Sequence, residues 1–131
     1  MVNVGDQRAH DLIDAVDGEP DPQHQIELLQ RALEYSTTGV QASKAYQGLG
    51  SIYEQFLDDP DQAITFYTLS LEAEPDLKNP FVLLWRGELY FQKGDVAAAR
   101  CDFEHALVGG LWSPERGEAE QRLVEIKAAC E

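Results

Sequence analysis

The amino-acid sequence predicts an all-α fold in which pairs of helices repeat and stack as a solenoid. Three segments share one apolar pattern, which advances by 37 residues each time, from Leu12 to Leu49 to Arg86. Each segment has two halves of helix length, separated by turn residues. No window alternates apolar and polar residues as a half-buried strand does. Since one such segment cannot bury its own apolar face, the segments must pack on one another.

The repeated pattern places small and aromatic residues at matching positions. In the first helix of each repeat these positions are Leu12, Ile13 and Val16, then Leu49, Gly50 and Tyr53, then Arg86, Gly87 and Tyr90. In the second helix they are Gln25, Leu29, Ala32 and Leu33, then Ala63, Tyr67, Ser70 and Leu71, then Ala99, Phe103, Ala106 and Leu107. We expect the small residues to let the two helices of a pair approach closely. We expect four aromatic residues to fill the space between one pair and the next; these are Tyr53, Tyr67, Tyr90 and Phe103.

Proline and glycine mark the ends of the helices. A side chain that accepts hydrogen bonds precedes proline at Asp21-Pro22, Asp59-Pro60, Asn79-Pro80 and Ser113-Pro114. The acceptor can cap the helix, and proline suits the first helical position because its missing N–H would be unpaired there anyway. Two further pairs resemble capping boxes, Thr38 with Gln41 and Asp59 with Gln62. Asp95 starts another helix, and Gly109-Gly110 can supply the left-handed conformation that ends it. The predicted helices are 5–17, 22–36, 39–56, 60–73, 80–93, 96–108 and 114–129.

The ordered residues of the second and third repeats resemble tetratricopeptide repeats, which are helix pairs of about 34 residues. The resemblance is carried by Leu49, Gly50, Tyr53, Ala63, Tyr67, Ser70, Leu71 and Pro75, and then by Gly87, Tyr90, Gly94, Asp95, Ala99, Phe103, Ala106 and Leu107. It implies a right-handed α-α superhelical solenoid of three helix pairs plus a C-terminal capping helix. The single domain would span 1–131, with repeats at about 5–37, 39–75 and 79–110 and the capping helix at 113–130. The first repeat departs from the family pattern at Ile13 and Gln25.

The last predicted helix has one apolar stripe and a charged back, as a helix that covers the end of a repeat array requires. The stripe consists of Ala119, Leu123, Ile126 and Ala129.

Composition narrows the classes of partner. The 131 residues carry a net charge of −14. This charge argues against nucleic acid, because binding to phosphates depends on lysine and arginine. The acidity either maintains solubility or selects a basic partner. No apolar run approaches the ~18 residues of a membrane span, and the N-terminal segment lacks a secretion signal, so we expect a cytoplasmic protein. Cys101 and Cys130 are then two free thiols.

The sequence offers no pattern for catalysis, metal or cofactor. His10, His24 and His105 are far apart and lack the spacing of a metal-binding helix. The acidic cluster from Asp58 to Asp61 lacks the alternation of a calcium loop, and helix capping explains it. We therefore expect a protein that is not an enzyme and needs no cofactor.

The resemblance also implies where a ligand would lie, because the first helix of each tetratricopeptide pair lines a concave groove. The positions that would face it are His10, Asp14, Lys44, Gln47, Ser51, Phe81, Trp85 and Glu88, together with Asp11, Glu54, Leu84 and Phe91. Family members that grip the acidic tails of heat-shock chaperones use lysine, asparagine and arginine there. The matching positions in this chain are His10, Asp14, Gly48, Phe81 and Trp85, so that activity is not expected. Phe81, Trp85 and Phe91 either pack under the last helix or form an anchor pocket.

Two functions follow from this pattern. The first is a non-catalytic scaffold that receives a peptide or helix of a partner protein in its groove. The charge and the aromatic positions favour a basic or neutral peptide with a large apolar anchor. The alternative is a structural module that forms a homodimer through uncapped repeat faces, because no additional helix is predicted before the first repeat.

Overall fold

The computed structural model describes residues 4–36 and 38–130, except for the side chains of 128–130. Within these residues the chain forms seven α-helices and no strand. The helices are α1 (Val4–Val16), α2 (Pro22–Tyr35), α3 (Gly39–Gln55), α4 (Pro60–Ala73), α5 (Pro80–Lys93), α6 (Val96–Val108) and α7 (Glu115–Cys130). Every predicted helix is present, and each end lies within one residue of its predicted position.

Side-chain caps start four of the helices. The backbone N–H groups of Gln23, Gln62, Phe81 and Ala98 donate to Asp21, Asp59, Asn79 and Asp95 at 3.0 to 3.2 Å. These bonds satisfy N–H groups that a helix start would leave unpaired. The predicted acceptor–proline starts of α2, α4 and α5 are therefore confirmed.

Two predicted caps are wrong. Thr38 precedes α3 with extended backbone, but its side chain makes no capping hydrogen bond. The Oε1 atom of its supposed partner, Gln41, is buried without a hydrogen-bond partner among the described residues. At Ser113-Pro114, α7 begins only at Glu115, and the Pro114 carbonyl accepts from the N–H of Glu118 at 3.1 Å. The Thr38 side chain therefore does not cap α3, and Pro114 lies one residue before the first residue of α7.

The N-terminal unit, Met1–Asp76, contains α1 to α4. Helix α3 packs against α4 and also against α1 and α2. The core of this unit includes Ala9, Ile26, Leu29, Ala32, Ala45, Leu49 and Ile52. A Cβ atom at Gly50 would lie 2.6 Å from the ring of Tyr67, so α3 and α4 approach each other at a position that admits only glycine.

The C-terminal unit, Leu77–Glu131, contains α5 to α7. A Cβ atom at Gly87 of α5 would lie 2.9 Å from Cε1 of Phe103 on α6. Tyr67 and Phe103 thus fill the interior of their own helix pairs, and the prediction that they lie between pairs is wrong. Helix α7 packs on α6 and α5 and buries Ala119 and Ile126 completely, as predicted for a covering helix.

The third repeat replaces an apolar contact with an ion pair. Where the earlier repeats have Leu12 and Leu49, α5 has Arg86, whose guanidinium donates to both carboxylate oxygens of Asp102 at 2.7 and 2.8 Å. Asp102 is 3% exposed. The hydrogen bonds that Arg86 donates to Asp102 are the main cause that raises the pKa of Arg86, so the guanidinium stays charged inside the pair.

None of the described helices is both long enough and apolar enough to span a membrane. The single domain over 1–131 and its superhelical path stay predictions.

Candidate peptide-binding surface

The first candidate residues lie on α1. His10 and Asp14 are one helical turn apart, and His10 Nε2 lies 3.2 Å from Asp14 Oδ2. Both side chains reach solvent. A pair at this spacing is a normal feature of a helix surface, and it leaves oxygen and nitrogen atoms available to a ligand.

The next three candidates, Lys44, Gln47 and Ser51, lie on one face of α3, because spacings of three and four residues follow the helical period. Lys44 is exposed, whereas Gln47 and Ser51 are half-buried. Ser51 Oγ lies 3.4 Å from the Tyr67 hydroxyl, which donates to Glu54 Oε1 at 2.7 Å. Burial is the main cause that raises the pKa of the Tyr67 phenol. Because Glu54 accepts the hydrogen bond from Tyr67 of α4, its Oε1 atom is not free for a ligand.

Gly48 occupies one of the positions at which tetratricopeptide proteins that bind heat-shock chaperone tails carry a ligand-binding residue. In this structure Gly48 faces α2. A Cβ atom built there would lie 3.0 Å from Leu29 Cδ1 on α2. The position serves packing between α2 and α3.

The C-terminal unit contributes an aromatic pair. The rings of Phe81 and Trp85 lie 6.2 Å apart and are tilted by 40°. Phe81 is 39% exposed and Trp85 is half-buried. Aromatic side chains in such a setting are suited to anchor an apolar side chain.

Glu88 is held by the last helix. Arg122 of α7 donates from Nε and Nη2 to the two oxygens of Glu88, at 2.8 and 3.0 Å. Its third nitrogen, Nη1, donates to Glu125 at 2.8 Å, and its guanidinium lies 4.6 Å from the centre of the Phe91 ring. Phe91 thus packs under α7, whereas Phe81 is open to solvent.

The charges in this cluster reinforce one another. The hydrogen bonds that Arg122 donates to Glu88, and then the one that it donates to Glu125, raise the pKa of Arg122. In return, the hydrogen bond from Arg122 is the main cause that lowers the pKa of Glu125. The guanidinium of Arg122 and the carboxylate of Glu125 are therefore both ionised near neutral pH.

A cleft of about 510 Å³ opens beside this cluster, between α5 and α7. It is lined by Glu88, Gly117, Glu118, Gln121, Arg122 and Glu125. Three carboxylates face one guanidinium, so the cleft is acidic. Sequence reasoning missed the α7 residues, because it assigned them to the solvent-exposed back of a covering helix. The spacing of Arg122 and Glu125 was the available signal.

The structure thus places His10, Asp14, Lys44, Gln47 and Ser51 in the N-terminal unit, and Phe81, Trp85 and Glu88 in the C-terminal unit. It joins His10 to Asp14 and Phe81 to Trp85, and it adds Arg122 as the partner of Glu88. A groove built from all eight residues stays a prediction.

No group of three or more histidine, cysteine, aspartate or glutamate side chains suited to a metal ion occurs among the described residues. Cys101 is an exposed free thiol, and its Sγ lies 3.8 Å from His105 Nδ1.

Residues 43–77 match the family model of the tetratricopeptide repeat. The matched segment is the second repeat of the sequence, so the resemblance is confirmed there. No curated protein is a detectable sequence relative of this chain.

Solved structures with the same fold cover almost the whole chain. The Yersinia enterocolitica type III secretion chaperone SycD, in complex with a peptide of the translocator YopD, has a TM-score of 0.78 and 20% identity over 93% of this chain and 94% of the chaperone. An alternative dimer of SycD has a TM-score of 0.76 and 20% identity over 95% and 96%. The second TPR domain of human RPAP3, in complex with the HSP70 peptide SGPTIEEVD, has a TM-score of 0.69 and 16% identity over 94% and 95%. These likenesses confirm the predicted all-α helical-repeat fold.

Proposed function

We propose that this chain is a non-catalytic protein-interaction module that binds a peptide or a helix of a partner protein. One observation carries the proposal: the chain shares its fold, over more than nine-tenths of its length, with two proteins whose structures hold a partner peptide. The tetratricopeptide repeat at 43–77 supports the same conclusion. We further propose a cytoplasmic location, where the exposed thiol of Cys101 stays reduced.

The candidate contact areas differ in chemistry between the units. The N-terminal unit offers polar groups, which are His10, Asp14, Lys44, Gln47 and Ser51. The C-terminal unit offers the Phe81 and Trp85 rings and the acidic cleft beside Glu88. We propose that a large apolar side chain of the partner packs against the rings, because buried aromatic contacts dominate binding energy in protein interfaces.

The acidic cleft favours a basic or neutral partner. Arg122 pairs with both Glu88 and Glu125, and its single positive charge leaves the three carboxylates Glu88, Glu118 and Glu125 with an excess of negative charge. The net charge of −14 adds a long-range attraction for basic peptides. An acidic segment would be repelled at this surface.

Selection from a library of random dodecapeptides displayed on phage tests the proposal. Wild-type protein should enrich peptides that combine lysine or arginine with a large apolar residue. These peptides should bind the Trp85→Ala variant at least tenfold more weakly, since truncation of a central tryptophan commonly costs 2 kcal/mol or more, about a thirtyfold loss.

Trp112→Ala is the matched control. Trp112 is 81% exposed and lies between α6 and α7, outside the candidate surface. Equal loss of binding in the two variants, enrichment of acidic peptides that depend on Trp85, or no enrichment at all would contradict the proposal.

The second candidate function is homodimerisation. Two observations favour it: one structural neighbour is an alternative dimer, and the apolar side chains of Val108 and Trp112 are 87% and 81% exposed. Light scattering over a hundredfold range of protein concentration distinguishes a homodimer from a monomeric peptide-binding module. A monomer at every concentration rules out the dimer, whereas a dimer that Trp112→Ala dissociates supports it.

A further inference from the structure

A second cleft, of about 310 Å³, lies in the N-terminal unit, between α1 and α2. It is lined by Arg8, Asp11, Leu12, Arg31 and Tyr35. Its charge is opposite to that of the cleft beside Glu88, because its described lining contains two arginines and one carboxylate.

These two arginines differ from the other four arginines in their ion pairing. The chain has six arginines. Four of them are paired with carboxylates, as Arg86 with Asp102, Arg100 with Glu104, Arg116 with Glu120, and Arg122 with Glu88 and Glu125. Across residues 4–36 and 38–130, neither Arg8 nor Arg31 forms an ion pair. Both line the same cleft, although the chain offers 24 acidic residues.

The contacts in the cleft leave the guanidinium N–H groups available. The guanidinium carbon of Arg8 lies 5.5 Å from the centre of the Tyr35 ring, so the ring supports the arginine from one face. Asp11, the only acid among the described residues that line the cleft, accepts a hydrogen bond from Gln7 Nε2 at 3.0 Å. Tyr35 is 40% exposed, and Leu12 adds an apolar wall.

We infer that this cleft binds a carboxylate-bearing segment of an acidic partner peptide. A guanidinium presents a planar fork of donors that matches a carboxylate, and charge-assisted pairs of this type are stronger than neutral hydrogen bonds. Leu12 and Tyr35 can contact the aliphatic part of a glutamate or a neighbouring apolar residue. A free inorganic anion would use the arginines but not these two side chains. The inference goes beyond the proposed function, because it concerns another surface and a ligand of opposite charge.

The negative net charge of the protein determines how the association rate of an acidic peptide at this cleft depends on salt. The net charge of −14 repels an acidic segment at long range, whereas Arg8 and Arg31 attract it at contact. Salt screens the long-range part first, since the Debye length is about 10 Å at 0.1 M. The association rate should therefore rise as salt is added at low ionic strength. A basic peptide at the candidate surface should show the reverse, so failure of one site is distinguishable from failure of the other.

An NMR titration of the full chain with the acetylated hexapeptide Glu-Leu-Glu-Glu-Leu-Glu tests the inference. The arginine Nε–Hε resonances report directly on binding at the guanidinium groups. The Arg8→Lys and Arg31→Lys variants each lack one of these resonances and thereby assign it. We expect saturable shifts at Arg8 and Arg31, and no shift with the neutral peptide Gln-Leu-Gln-Gln-Leu-Gln. The double variant Arg8→Ala, Arg31→Ala should bind at least tenfold more weakly while its circular dichroism stays unchanged.

Arg116→Ala is the control for the loss of an arginine outside the cleft, because it removes one positive charge from an exposed site on α7. It should bind the acidic hexapeptide as wild type does. Three results would overturn the inference: absence of shifts at both Arg8 and Arg31, equal weakening by Arg116→Ala, or equal shifts caused by inorganic phosphate at the same ionic strength.

Discussion

Glu88 and Arg122 lie 34 residues apart in the chain, and two hydrogen bonds of 2.8 and 3.0 Å join them. The contact ties α7 to the face of α5 that also carries Phe91, over which the same guanidinium lies. The last helix therefore both covers the third repeat and completes an acidic cleft.

Removal of this link should loosen α7. We expect Arg122→Ala to lower the free energy of unfolding by about 1 kcal/mol, since the pair is partly exposed but bidentate and is supported by the Phe91 ring. Urea denaturation followed by circular dichroism measures the change. Arg116→Ala, which breaks an exposed pair within α7, should cost only a few tenths of a kcal/mol. Equal costs for the two variants would show that the link does not stabilise the unit.

The same link predicts a pH dependence. The pKa of Glu125 lies below its ordinary value of 4.5 because Arg122 donates to the carboxylate. A carboxyl group whose pKa is lowered by folding stabilises the fold above its unfolded pKa, and this contribution disappears as pH falls through the folded pKa. The stability difference between wild type and Arg122→Ala should be full at pH 7 and shrink below about pH 4.5. A difference that stays constant down to pH 2 would contradict the ionic origin of the link.

Substitution by alanine should change the stability of the protein in opposite directions at Gly50 and at Gly117. Gly50→Ala would place a Cβ atom 2.6 Å from the buried Tyr67 ring, so we expect a loss of about 1–3 kcal/mol from overpacking. A Cβ atom added at Gly117 of α7 would point into open space among the described residues, with no packed neighbour within 4 Å. Gly117→Ala should therefore stabilise the protein, by up to about 1 kcal/mol, through helix propensity alone. Thermal melts of both variants check the signs. Stabilisation by Gly50→Ala would mean that α3 and α4 leave room for a Cβ atom at this contact.

The covering role of α7 predicts a contrast between two of its apolar residues. Ile126 is 0% exposed and Val124 is 63% exposed. Ile126→Ala should cost about 2–4 kcal/mol because it leaves a cavity in the C-terminal unit. Val124→Ala should change stability by less than about 0.5 kcal/mol. Urea denaturation of the two variants measures both changes in stability. If Ile126→Ala were as stable as Val124→Ala, α7 would not be part of the core.

The buried ion pair of the third repeat predicts a large penalty when it is broken. Asp102→Ala leaves Arg86 without its carboxylate partner in the interior, and we expect a loss of about 3–5 kcal/mol. The double variant Arg86→Leu, Asp102→Phe restores the residue types found at Leu49 and Phe66 of the second repeat, and it should recover most of that stability. A double variant that is less stable than Asp102→Ala would contradict the proposed equivalence of the two positions.

The helices could be predicted because their signals are local. An acceptor before proline at Asp21, Asp59 and Asn79 marks a start by itself, whatever the rest of the chain does. Thr38 failed as a cap because a capping box also requires side-chain rotamers that the sequence does not specify. Ser113 failed because the start of α7 depends on the backbone of the preceding loop.

The site could be predicted only in part, because its contacts are not local. The spacing of Phe81 and Trp85 follows from one helix, and the structure confirms that their rings are neighbours. The partner of Glu88 comes from a helix 34 residues away, and no periodicity within α5 points to it. Arg8 and Arg31 were missed because only the packing of α1 on α2 brings them to one cleft.

The most direct test of peptide binding uses the two tryptophans as reporters. In Trp112→Phe the fluorescence comes from Trp85 alone, and in Trp85→Phe it comes from Trp112 alone. Titration with a basic peptide selected from the dodecapeptide library should change the emission of Trp112→Phe in a saturable manner, with a blue shift as the partner's apolar side chain excludes water from Trp85. The Trp85→Phe variant should show no shift at any peptide concentration. A saturable shift from Trp112 with none from Trp85 would contradict the account.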